Sequence, residues 1–108
     1  MPSFRAELDV LGLREGRRPE EVMEAAVAAL GARHHVEARD LDIVSGVPRI
    51  SLRFLVETSS DAGEDAEALA ARDAMTDAVE RVAVWQRPVV RRRVGGRWVA
   101  VRDPRLRW

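Results

Sequence analysis

The hydrophobic patterns along this 108-residue chain predict an α+β fold, with one antiparallel sheet and two helices on one face. Three observations carry that expectation. Two segments repeat apolar residues at helical spacing, one over Met23, Ala26, Val27 and Leu30, the other over Ala68, Ala71, Met75, Val79 and Val82. Around them lie stretches that alternate apolar and polar residues, as half-buried strands do. Ser45-Gly46 and Gly95-Gly96 interrupt such stretches where two-residue hairpin turns belong.

The first strand is "FRAELDVLGL": Phe4, Ala6, Leu8 and Val10 share one face, and Arg5, Glu7 and Asp9 the other. A helix follows at Pro19, which suits a first turn because its missing N–H would be unpaired there. Glu20 and Glu21 favour the positive helix end, and Gly31 is placed to end the helix.

"HHVEARDLDIV" and "VPRISLRFLVE" flank Ser45-Gly46 as a hairpin. Leu41 faces Ile50 and Asp42 faces Arg49. Strict pairing would then set Arg39 against Leu52. A β-bulge near Arg39-Asp40 relieves this, bringing Ala38 to Leu52, Val36 to Phe54 and Glu37 to Arg53. The pairs Asp42–Arg49 and Glu37–Arg53 are expected on the solvent face.

"TSSDAGED" supplies turn and capping residues. A long helix is expected from about Asp65 to Trp85, broken by Pro88. Its outer face carries Glu64, Asp65, Glu67, Asp73, Asp77 and Glu80. The last element, "VVRRRVGGRWVAVR", is a hairpin about Gly95-Gly96. Val90, Arg92, Val94, Arg97, Val99 and Val101 lie on one face; Arg91, Arg93, Trp98, Ala100 and Arg102 lie on the other. Residues 1–103 form one domain, and 104–108 are a tail of low expected order. The element order is βαββαβ with one added strand, so the architecture resembles the ferredoxin-like sandwich. That fold hosts unrelated functions and sets no functional prior.

Composition narrows the function. The chain has no cysteine, which excludes disulfides, zinc–thiolate sites and thiol nucleophiles. The first residues lack the basic and apolar regions of a signal peptide, and no apolar run approaches the ~20 residues of a membrane span. The expected location is the cytoplasm, away from membranes. All 18 basic residues are arginine, which reads as the coding bias of a GC-rich bacterial genome rather than as phosphate binding. The formal charges cancel, yet from Arg87 onward there are eight arginines and one acid, a balance of +7. The preceding residues carry −7. Such asymmetry governs association rather than fold.

No catalytic or cofactor motif is present, and no cofactor is expected. The glycines of "GLREG" and "VGGRW" miss dinucleotide and phosphate-loop spacings. His35, Glu37 and Asp42, with His34 and Asp40, are the residues with metal-ligand chemistry, but cross-strand arginines account for the acids equally well. The basic hairpin remains. Trp and Arg are the residue types of interface hot spots, so Arg91, Arg93, Trp98 and Arg102 are the expected binding residues. Glu64, Asp73, Asp77 and Glu80 are the acidic counter-surface for a second copy in a homodimer. The reading is a non-catalytic interaction module that self-associates. One alternative is nucleic-acid binding through the same arginines, against which the central strands offer no outward aromatic. The other is a small dimeric α/β-barrel enzyme with a pocket between sheet and helices.

Overall fold

Alternation along the first strand organises the whole molecule. The computed structural model describes residues 2–57 and 60–104. In it β1 (Ser3–Leu13) lies at the centre of a five-stranded antiparallel sheet. The chain continues through α1 (Pro19–Gly31), β2 (Val36–Val44), β3 (Val47–Leu55), α2 (Asp61–Glu80), β4 (Ala83–Val94) and β5 (Arg97–Ala100). The strand order is β2-β3-β1-β4-β5, so β2 and β5 are the free edges.

The core lies between one sheet face and the helices. Phe4, Ala6 and Leu8 of β1, Ile50, Leu52 and Phe54 of β3, and Val90 of β4 meet Val22, Ala26 and Leu30 of α1 and Ala68, Ala71, Met75 and Val79 of α2. The Phe4 and Phe54 rings stack with centroids 6.0 Å apart. Truncating a buried phenylalanine costs about 3–5 kcal/mol, so this pair anchors the sheet.

α1 starts at Pro19, where the sequence places it, but Gly31 is its last helical residue rather than its cap: Ala32 caps the helix in a right-handed conformation, its N–H reaching the Ala28 carbonyl. The Arg18 N–H donates to the Glu21 carboxylate at 2.9 Å, satisfying one group at the helix start. Both hairpin turns have two central residues with positive φ: Ser45 and Gly46, then Gly95 and Gly96. That geometry matches the twist of the flanking strands.

Two further expectations change. The second helix starts at Asp61, with the Ser60 hydroxyl accepting the Gly63 N–H at 3.1 Å, and ends at Glu80 rather than Trp85. Val82 and Trp85 fit a helical stripe, but β-branched and aromatic residues from Val82 onward pair instead with the end of β1: Trp85 opposes Val10. Pro88 therefore breaks no helix. It sits in a bulge of β4, where Arg87 has φ 54° and the β1–β4 register shifts between Glu7 and Asp9. A proline fits such a position because it needs no ladder partner.

The bulge in β2 also lies elsewhere. Val36 opposes Phe54 as expected, but Ala38 opposes Arg53 and Arg39 opposes Leu52, so the extra residue is Glu37. Arg39 is tolerated there because it lies exposed on the edge strand.

Past β5 the chain turns back onto α2. The Val101 N–H bonds the Val90 carbonyl at 2.8 Å. Arg72 meets Asp103 at 2.8 Å, with side chains only 8% and 4% exposed. This buried ion pair clasps the end of the hairpin to the helix. The tail residues 105–108 lie outside the described residues. Removing one member of a buried pair leaves an uncompensated charge. Asp103→Ala should therefore lower the unfolding free energy by about 2–3 kcal/mol, moderated because Asp73 also bonds Arg72. The joint replacement Arg72→Met/Asp103→Leu should recover most of that loss in urea unfolding.

Candidate functional site

The sheet face turned away from the helices is laid out in rows by the strand register. Asp42, Arg49, Asp9 and Gln86 form one row across β2, β3, β1 and β4. The next row is Asp40, Ser51, Glu7 and Val89. The third is Ala38, Arg53, Arg5, Arg91 and Ala100, with three arginines on neighbouring strands. Like charges directly opposite are destabilising unless neutralised. Glu7 supplies the neutralisation, 3.1 Å from Arg91 and 3.9 Å from Arg5, while Glu37 lies 3.8 Å from Arg53.

Trp98 lies beside this arginine row. It opposes Arg93 across the hairpin, as the sequence implies. Its indole lies 4.5 Å from the Arg5 guanidinium carbon, 5.1 Å from that of Arg93 and 5.4 Å from that of Arg53. Guanidinium groups at such distances are attracted to the ring face. Arg5 and Arg53 belong to the central strands, so one aromatic from β5 spans more than half the sheet. The sequence pairs Trp98 with Arg93 alone, because side-chain reach across two strands leaves no periodic trace.

Among the described residues, Arg93, Arg97 and Arg102 form no ion pair, and all three are exposed. Arg91 is half-buried on Glu7. The expected acidic counter-surface is not one surface. Glu64 is buried and bonds Arg92 at 2.6 Å, Asp73 bonds Arg72, and only Asp77 and Glu80 are exposed. Arg92 draws Glu64 inward: it lies on the helix side of β4 and also meets Asp65 at 3.0 Å and Asp61 at 3.3 Å. These bonds raise the Arg92 pKa, the Glu64 hydrogen bond first. In the sequence Glu64 reads as an outer-face acid, because a partner from a distant strand leaves no local signal.

The metal candidates are spread along β2. His35 is exposed, Glu37 turns to Arg53 and accepts from the Ser3 hydroxyl at 3.2 Å, and the Asp42 carboxylate accepts the Ile43 N–H at 2.9 Å. Among the described residues no group of three or more histidines, cysteines or carboxylates stands close enough to hold a metal ion. The His34 ring lies tilted against Phe54, centroids 5.5 Å apart, and 3.7 Å from Glu67, beside a cleft of about 520 Å³ at the C-terminal end of α1. A second concavity, of about 330 Å³, is lined by Leu11, Leu13, Met23, Leu41, Ile43 and their neighbours at the hairpin end of the sheet.

Arg49 chooses Asp9, not the expected Asp42, at 2.7 Å. The choice follows burial, since Asp9 is almost fully covered while Asp42 is exposed. This hydrogen bond holds the Asp9 carboxyl below its ordinary pKa against the opposing effect of burial, with Gln86 and Arg87 assisting.

Comparison of the chain with protein families, with curated proteins and with solved structures finds no match. Among the described residues no helix is long and apolar enough to cross a membrane.

A carboxylate whose folded-state pKa lies below its unfolded one stabilises the fold above the unfolded value, about pH 4, and loses that contribution as pH falls through the folded value. Asp9→Asn should therefore cost stability at pH 7 and progressively less towards pH 3. Urea unfolding at both pH values checks this, and an equal loss at both would contradict the Asp9–Arg49 ion pair.

Proposed function

We propose that this chain is a non-catalytic, cytoplasmic protein-interaction module of ferredoxin-like βαββαβ architecture with one added strand, and that it self-associates through its sheet and terminal hairpin. The order β2-β3-β1-β4, with both helices packed on one face, supports the architecture. The observation that carries the functional reading is Trp98. Its indole sits among the guanidinium groups of Arg5, Arg53 and Arg93 at an edge of the sheet, and Arg93 and Arg102 are exposed and form no ion pair among the described residues. Trp and Arg dominate interface hot spots, and a side chain already held in place loses little entropy on binding.

Light scattering after size exclusion tests this at low and high salt. The wild type should exceed the mass of one chain at low salt and lose association at high salt, because exposed charge contacts are screened. Trp98→Ala should weaken association about tenfold or more, the range of a hot-spot truncation. One-chain mass for the wild type at both salts would overturn the reading.

A second reading rests on the same ring. The central strands carry no outward aromatic of their own, but Trp98 brings one beside Arg5 and Arg53, as a single-stranded nucleic acid needs for stacking and phosphate contact. If it holds, a fluorescent oligonucleotide will bind with steep salt dependence. The variant Arg91→Ala/Arg93→Ala/Arg102→Ala will then bind more weakly with a shallower salt slope.

A further inference from the structure

The two free edges of the sheet differ in charge and share an apolar character. On the open-face side of β2, Asp40 and Asp42 are exposed and form no ion pair among the described residues. On its helix side Leu41 and Ile43 are 65% and 60% exposed, continuing the apolar concavity with Leu11 and Leu13. At the other edge Val94 and Val99 are 50% and 48% exposed, and Arg93, Arg97 and Arg102 surround them. Of the seven large apolar residues exposed among the described residues, Leu41, Ile43 and Val99 lie on a free edge strand and Val94 pairs with β5. An uncovered strand edge is a template for pairing.

Symmetric pairing of either edge with itself is unfavourable. A twofold axis at Leu41 would set Asp40 of one copy opposite Asp42 of the other, twice, and like charges directly opposite repel. Pairing β5 with β5 would bring two arginine-rich hairpins together.

Pairing unlike edges has the opposite character. β2 and β5 run in the same direction, because each is two antiparallel steps from β1. A second copy moved sideways along the sheet presents β5 parallel to β2 with its helices on the same side. Ala38 and Ala100 already stand in one row. A shift of two residues sets Arg102 beside Asp42 and Val101 against Leu41.

We propose that β2 is the acceptor edge for β5 of a second copy, so that self-association proceeds head-to-tail rather than stopping at a twofold dimer. This rests on the self-association proposed above and names its contact. The acidic partner of the basic hairpin is then the Asp40–Asp42 edge, not the outer face of α2. Head-to-tail contacts give rings or open arrays. β5 is only four residues long, so each contact is small and weak.

Sedimentation velocity over a concentration series, at low salt, decides the matter. The wild type should rise past two chains as concentration increases. Asp40→Arg/Asp42→Arg should reduce association at least about tenfold, and Arg102→Glu should weaken it from the other side, both being charge reversals at one contact. Because each variant now complements the other, an equimolar mixture should associate again. All three positions are exposed, and circular dichroism will verify folding. A wild type that associates but is indifferent to the β2 reversal, or stops at two chains, overturns this contact and leaves self-association standing. A wild type of one-chain mass throughout overturns both.

Discussion

Three guanidinium groups cannot lie abreast on neighbouring strands unless carboxylates stand among them, and that constraint organises the open face. Arg53, Arg5 and Arg91 are in register on β3, β1 and β4. Glu7 serves two of them, and Asp9 neutralises Arg49 two rows away. Both acids come from the same strand whose alternate residues, Phe4, Ala6 and Leu8, are fully buried. The period-two alternation of β1 therefore does two things at once. It supplies the apolar wall against which the helices pack, and it supplies the acids that let a basic sheet face exist. Trp98 can settle among arginines because that row is already held in place.

Local chemistry was legible in the sequence and long-range choices were not. Pro19, Ser45-Gly46 and Gly95-Gly96 act through their own backbone preferences, so the start of α1 and both hairpins were readable from nearest neighbours. The boundary between α2 and β4 was not, because Val82 and Trp85 satisfy a helical period and a strand alike, and only the end of β1 decides between them. The same holds for side chains. Arg49 has Asp42 opposite it in its own hairpin and Asp9 on the other side, and burial selects Asp9. Glu64 looks like an outer-face acid until Arg92 arrives from a neighbouring strand.

The neutral total charge conceals how the surface is divided. Most arginines of the open face are matched to acids within the chain, and the carboxylates of α2 nearest the sheet are committed to Arg92 and Arg72. On the open face of the strands, the charges without an ion pair among the described residues are Asp40 and Asp42 on β2 and Arg93 and Arg102 at the terminal hairpin. This segregation comes from the topology that sends β2 and β5 to opposite edges.

The bulge at Arg87-Pro88 has a consequence for how such a sequence can change over time. It adds a single residue to β4, and side chains alternate with a period of two. Losing that residue would exchange the two faces on one side of it, carrying Arg91 and Arg93 towards the core and Val90 towards water. Substitutions at Arg87 leave that arithmetic intact, whereas a one-codon deletion inverts it. Descendants of this chain are thus free to vary in residue type at the bulge and bound to preserve its length.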